Sequence, residues 1–355
     1  MDYTFSMAKV TIQDIASELG LSRNTVSKAI NNTGILAEST RQLILKKASE
    51  MGYKTFLPAE PHADSPASVG ELVLFTAAAL NASHFSTKML DEMQQEASVL
   101  GYGFTIYRIM PKELEDCRLP ANFDAGRAVG IFCVEMFNMQ YSRMICSLGI
   151  PVVFVDTAVS VYEEPLPADV LLMENKRGIY SFVKKMVLCG KTDMGFVGES
   201  LHCMSFYERS DAFLGALRLF KIPFNEEWIF DSLSQGLAYP KHEDYLRFLE
   251  ERFKSCSRLP KVLVCANDFV AIDVLHVFKK IGIRVPEDIL LCGFDDSPEA
   301  SLITPALTTV RIHARDMGKE AVSLLFSRIK QPSMKFRTVY VQTDLVCRAS
   351  TEGNS

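Results

Sequence analysis

The sequence lacks the marks of several protein classes. Its longest apolar runs, such as 72–80, fall far short of the roughly 20 residues a membrane span needs. No basic segment followed by an apolar core opens the chain, which argues for a cytoplasmic rather than a secreted protein. The nine cysteines are odd in number and scattered, without a Cys-x-x-Cys pair, and His and Cys never fall at ligand spacing. Buried reduced thiols are expected, and no metal. Neither His-Glu-x-x-His nor Gly-x-Ser-x-Gly occurs. Gly190-Lys191-Thr192 lacks the first glycine of a phosphate-binding loop, because Lys185 stands there, and Gly101-x-Gly103 lacks the third glycine of a dinucleotide turn. These absences speak against an enzyme and leave no cofactor to expect.

What is present is 355 residues, 48% hydrophobic, with a net charge of −5. That length suggests two to three domains. The mild acidity would argue against nucleic acid if it were evenly spread, and it is not. Residues 1–54 carry seven basic and five acidic side chains, a balance of +2, so residues 55–355 sum to −7. A small basic head precedes a large acidic body.

The head reads as three short helices. The first spans 12–19, with Ile12, Ile15, Ala16 and Leu19 on one face, Thr11 as its cap and Gly20 as its break. The second follows Ser22 and runs to about Asn31. The third runs from about Glu38 to Met51 and should bury Leu43, Ile44 and Ala48. Residues 55–69 lose all amphipathic pattern and read as a linker rich in Pro, Ala and Ser. From Glu71 onward, short apolar runs alternate with amphipathic helices, which implies parallel sheets covered on both faces. Nine candidate strands favour two α/β lobes over one sheet.

The spacing of Ala16, Gly20 and Val26 has a physical logic. A steep helix crossing needs a small residue, the tight turn needs one that accepts positive φ, and the second helix needs an apolar anchor. That is a helix-turn-helix, whose second helix enters the DNA major groove. Arg23, Asn24 and Lys28 then face base edges, as donors to guanine or partners of adenine. Thr11, Ser22, Thr25, Ser27 and Asn31 are the short polar groups suited to the phosphate side of the contact.

The run KVTIQDIASELGLSRNTVSKAINNTGILAESTRQLILKKASEMGYK resembles the DNA-binding domain of the LacI/GalR transcriptional regulators. The resemblance continues through IPVVFVD at 150–156, ENKRG at 174–178, YERSDAFLGAL at 207–217, CAND at 265–268 and GIRVPEDILLCGFDDSP at 282–298. It implies an N-terminal all-α helix-turn-helix domain plus an α/β two-lobed, periplasmic-binding-protein-like sensor with two parallel sheets and three crossovers. The implied boundaries are 8–54 for the head, 55–69 for the linker, 70–189 and 312–332 for the first lobe, and 190–311 and 333–351 for the second. The crossovers are expected near 189–191, 309–313 and 330–338.

The resemblance also implies function: a regulator, repressor in sense, acting as a homodimer on a pseudo-palindromic DNA operator, without a membrane role. A small-molecule effector, a sugar or sugar derivative, would lie between the lobes. Arg209 and Asp295 fall on the family's paired donor and acceptor, Asn267 on its cleft amide, and His84 and Phe85 beside its aromatic position. Asp268 and Asp296 read as structural, and His202, His242, His276 and His313 as structural or solvent-facing. The stretch TFLPAEPH departs from the family's hinge helix, because Pro61 removes a donor and Glu60 would face phosphate. The alternative reading is a cytosolic sugar-binding or sugar-processing protein of the same fold without an operator.

Overall fold

The computed structural model describes residues 11–30, 36–51, 70–77, 84–233 and 241–352. It divides into two compact units, Met1–Ala67 and Ser68–Ser355. The expected linker and its hinge departure lie outside the described residues, as does Asn31.

In the head, α1 (Ile12–Leu19) begins at a reciprocal cap. Asp14 N donates to Thr11 Oγ1 at 3.4 Å, and Thr11 N donates to Asp14 Oδ2 at 2.8 Å. Gly20 ends the helix at φ +62°, with nothing within 4 Å of where a Cβ would stand, so the backbone conformation rather than space calls for glycine. Ser22 Oγ accepts Thr25 N at 3.0 Å and starts α2 (Arg23–Ile30). With α3 (Glu38–Glu50) the bundle buries Ile15, Ala16, Val26, Ala29, Ile44 and Ala48. Leu43, expected inside, is 54% exposed. Ile44 and Ala48 carry the buried stripe, and Leu43 stands about 100° round the helix from Ile44.

The body runs β1 (Glu71–Thr76), α4 (His84–Val99), β2 (Gly103–Arg108), α5 (Pro111–Glu115), β3 (Ala128–Val134), α6 (Met139–Cys146), β4 (Val152–Val155), β5 (Asp169–Met173) and α7 (Arg177–Leu188). There follow β6 (Met194–Val197), α8 (Met204–Leu219), β7 (Ile229–Phe230), α9 (His242–Ser255), β8 (Val262–Cys265), α10 (Asp268–Ile281), β9 (Leu290–Cys292) and α11 (Pro298–Leu302). The chain closes with β10 (Thr309–Ile312), α12 (Ala314–Lys330), β11 (Thr338–Val341) and β12 (Thr343–Val346). Two all-parallel sheets result, of order β11-β5-β4-β3-β1-β2 and β7-β6-β8-β9. A short antiparallel pair, β10 and β12, attaches beside β9 through the bridges Cys292–Thr308 and Asp295–Arg311. All nine cysteines are free, four of them buried.

Three crossovers join the lobes, two of them away from their expected places. The first lies at 174–177 rather than 189–191, because α7 packs chiefly on α8 and β12. Gly178 allows that approach: a Cβ there would stand 2.5 Å from Val310 Cγ1 on β10. The second falls at His313, as expected, since β10 sits with the second lobe while α12 packs on α4 and on β3, β4 and β5. The third lies at Gln342 rather than 330–338, because β11 pairs in parallel with β5 as the edge of the first sheet. Residues 333–341 therefore belong to the first lobe and 178–189 to the second.

The end of α12 is fixed by a buried ion pair. Arg328 Nε and Nη2 donate to Asp169 Oδ2 and Oδ1 at 2.9 and 2.8 Å, and Arg337 N donates to Asp169 Oδ1 at 2.7 Å. Burial pushes the Asp169 carboxyl up, and the hydrogen bonds from Arg328 and Arg337 outweigh it, holding the group below its usual range.

Candidate functional site

The head presents one polar helix face. Arg23, Asn24 and Lys28 are exposed on α2, whose opposite side buries Val26 and Ala29. Thr25 and Ser27 are half-buried beside them. Ser22 and Thr25 share a hydroxyl contact at 2.8 Å, and the Thr11 hydroxyl donates to Asp14 at 2.7 Å. Ser22 and Thr11 thus hold the helix starts in place, while the three longer side chains extend from the surface.

In the body, the carboxyl ends of both sheets meet at a cavity of about 320 Å³. Open α/β sheets bind ligands at that end. The first lobe supplies Glu135 after β3, Asp156 after β4 and Met173 of β5, and the second supplies His202, Ser205, Arg209, Asn267 and Asp295. Phe137, Phe206 and Phe269 form apolar wall. Glu135, Asp156 and Asp295 all hold positive φ, at +53°, +65° and +114°. Such backbone in non-glycine residues persists where the surroundings enforce it, and clusters at ligand sites.

Arg209 is the centre of this floor. It is 2% exposed, donates from Nε to Asn175 Oδ1 at 3.0 Å and from Nη1 to Ala266 O at 2.8 Å, and lies 3.4 Å from Asp295 Oδ1. Its guanidinium rests on the Phe294 ring at 3.6 Å. Asn175 sits at the first crossover and donates in turn to Glu208 at 2.8 Å, and Tyr340, beside the third crossover, donates to Glu208 at 2.6 Å. The crossovers also bond to each other, through Thr343 Oγ1 to Glu174 O at 2.8 Å and His313 to Asp344 at 2.9 Å. A contact on Arg209 is therefore one hydrogen bond from the hinge.

Burial pushes Asp295 up to about 7, against the pull of Arg209 and with the added repulsion of Asp268, Glu135 and Asp156. Burial likewise raises Asp156, whose Oδ1 accepts Ser205 N at 3.2 Å across the lobes. Asp268 and Asp296 are structural. Asp268 accepts Ser297 N and the Thr309 hydroxyl at 2.8 and 2.5 Å, and Asp296 accepts Arg311 and Arg348, both at 2.6 Å.

Arg209, Asn267 and Asp295 thus line one cavity. His84 and Phe85 open α4, and their side chains lie outside the described residues. The sequence reading missed Glu135, Asp156, Asn175 and His202. His202, expected to be structural or solvent-facing, stands in the cavity wall between the rings of Phe137 and Phe206, at 5.0 and 5.3 Å. No sequence motif announces it, since its partners come from both lobes.

Burial lowers His202 to about 4. The unfolded imidazole takes a proton near its ordinary value while the folded one does not, so its contribution to stability is full above that value and is lost as pH falls toward 4. His202→Gln is expected to remove up to about 3 kcal/mol of the acid-side loss. Urea unfolding of both proteins across that window checks this, and parallel pH curves would contradict it.

Comparison with known proteins agrees with this architecture. Residues 11–55 match the model of bacterial regulatory proteins of the lacI family, and residues 183–351 match a periplasmic binding protein-like domain. The HTH-type transcriptional repressor PurR of Vibrio parahaemolyticus is 25% identical over 342 residues, covering 95% of this chain and 97% of that protein. The PurR repressor of Haemophilus influenzae is 22% identical over 348 residues, covering 96% of this chain and 98% of its own. Among solved structures, the complex of the transcriptional regulator CelR with cellobiose superposes with a TM-score of 0.65 at 21% identity, covering 96% of this chain and 100% of that one. A lac repressor dimer bound to operator and the anti-inducer ONPF gives 0.64 at 18% identity, covering 97% and 99%. No described helix is long and apolar enough to cross a membrane. The chain carries the DNA-binding domain of the lacI family of bacterial regulatory proteins ahead of a two-lobed periplasmic-binding-protein-like body, which is the organisation of a DNA-binding transcriptional regulator.

Proposed function

We propose that this regulator is a repressor that binds a pseudo-palindromic operator as a homodimer, and that a small polar effector in the interlobe cavity shifts its affinity for DNA. The observation that carries the reading is Arg209. It lines the cavity, contacts groups of the second lobe, and hydrogen-bonds Asn175 at the first crossover. A ligand that meets both Glu135 or Asp156 on one side and Arg209 or Asn267 on the other has a different contact set for each lobe angle. It therefore shifts the population of lobe arrangements by that difference.

The relatives named as repressors, and the neighbours whose titles name cellobiose and an operator-bound dimer, support this reading. A single three-helix head neutralises few phosphates, and two-fold symmetry doubles the contact. Arg23, Asn24 and Lys28 are the base-reading side chains of this proposal. No catalytic step is part of it.

Selection of bound duplexes from a random DNA pool tests the operator half. The expected product is two inverted half-sites. Arg23→Ala should relax one position of each half-site, at a cost of about 1–3 kcal/mol, and leave the others unchanged. Enrichment without inverted symmetry, or an Arg23→Ala loss spread evenly over all positions, would contradict the assignment.

A further inference from the structure

A second cavity of about 300 Å³ adjoins the first on the second-lobe side. The two share His202, Phe206, Asn267 and Phe269 as a common wall, and the second adds Glu199, Tyr245, Val270 and Asp273, with His242 at its rim. We infer that the cleft holds a ligand of two linked rings that carries no negative charge, one ring beside Arg209 and Asp295 and the other in this adjoining chamber. The inference rests on the effector reading above and deepens it.

Either chamber alone sits at the lower edge of small-ligand pockets, whereas the pair spans what a two-ring molecule needs. The dividing wall suits a junction between rings. Phe206 and Phe269 offer apolar faces to both sides, and Asn267 offers its amide between them. Asn267 Oδ1 is engaged by Val270 N at 2.9 Å in capping α10, which orients that side chain.

Glu135, Asp156 and Asp295 line the first chamber against one guanidinium, and Arg209 already meets Asp295. Glu199 and Asp273 line the second, where His242 stands 3.6 Å from Asp273. Burial raises Glu199 and Asp273 as it raises Asp156 and Asp295, because the cleft solvates negative charge poorly. His202 is held neutral by burial and adds no positive charge. A phosphate or carboxylate on the ligand would enter an excess of like charge in a low-dielectric cleft. Hydroxyl or amino groups would find partners on both sides.

Calorimetric titration of the full chain with two matched sets, the fused purine counting as one ring system, tests this: glucose, cellobiose and glucose 6-phosphate, then adenine, adenosine and AMP. In whichever set binds, the neutral two-ring member is expected to bind at least about tenfold tighter than the one-ring member, a difference of about 1.4 kcal/mol. The phosphorylated member should bind weakest. His242→Trp fills the rim of the adjoining chamber at an exposed position and should abolish the two-ring advantage without changing one-ring affinity. A one-ring or phosphorylated member that binds as tightly, or a two-ring advantage that survives His242→Trp, overturns the inference.

If neither set binds, dialysis of the chain and of Arg209→Lys against a mixture of small metabolites, read by mass spectrometry, decides. An Arg209-dependent compound with two rings and no negative charge supports the inference. A one-ring or anionic one overturns the inference alone. No Arg209-dependent compound overturns the effector reading together with it.

Discussion

Arg209→Met is expected to abolish any ligand response and to lower the free energy of unfolding by about 3–5 kcal/mol, the usual cost of removing one partner from a buried charge pair. The sequence motif alone suggests a binding residue that could be removed cleanly. The structure makes it a strut as well. Its loss leaves Asn175 Oδ1 and Ala266 O without their donor and takes the cation from beside Asp295. Asp295 is already pushed up to about 7 with Arg209 present, so in the variant it keeps its proton to higher pH. A protonated Asp295 limits the damage, and the stability gap between wild type and variant should therefore widen as pH rises through about 7. Denaturant unfolding on either side of that value checks it, and a gap that narrows with rising pH would show that Asp295 is not the group left exposed. Arg209→Lys keeps the charge but loses the fork that reaches Asn175 and Ala266 together, so it should recover stability more than response.

The second large effect lies far from the cavity floor. Arg328→Met should cost about 3 kcal/mol or more, because it removes the better buried of two cations from a carboxylate that is itself fully buried. Arg337 still reaches Asp169 through its backbone N–H and through its guanidinium, whose Nη2 lies 3.3 Å from Oδ2, which keeps the loss toward the lower end of that range. The pair Arg328→Met with Asp169→Leu should restore much of the stability, since the one charge then left without its partner, on Arg337, is partly exposed to solvent. Arg328 also donates to Lys335 O at 3.0 Å and so holds the turn that delivers β11 to the sheet edge. β11 leads directly into the third crossover, so the single variant should loosen the lobe hinge as well as the fold. Thermal unfolding of the three proteins tests the cycle. A double variant no more stable than Arg328→Met would mean that the ion pair is not the cause.

Much of this architecture was legible from residue spacing. The head follows from a 3.6-residue stripe with Gly20 at its turn, and strands such as β1, β4 and β8 are short apolar runs buried on both faces. What failed was mostly allegiance rather than existence. The amphipathic face of α7 declares that it must be buried but not against which lobe, and its packing on α8 and β12, with the close approach of Gly178 to Val310, decides it. The run at 339–345 reads as one strand, yet its first half pairs with β5 and its second with β10. An extended chain that changes partners at Gln342 carries no local mark of the change. The two-residue β7 is too short for any periodicity to register.

The site divides in the same way. Arg209, Asn267 and Asp295 stand in recognisable motifs, whereas Glu135 and Asp156 owe their place to positive φ at strand ends and His202 to rings from both lobes. Those are tertiary facts. The net charge, which at first argued against DNA, proved to be a balance between a basic head and an acidic cleft-bearing body.

The most direct test of the account is the affinity of the full chain for its selected operator duplex, measured by fluorescence anisotropy with and without the ligand that binds the cleft in an Arg209-dependent manner. The account predicts at least about a tenfold change in operator Kd for the wild type, equivalent to a coupling of about 1.4 kcal/mol, and none for Arg209→Lys. An operator Kd that stays the same while the ligand saturates the cleft would contradict it.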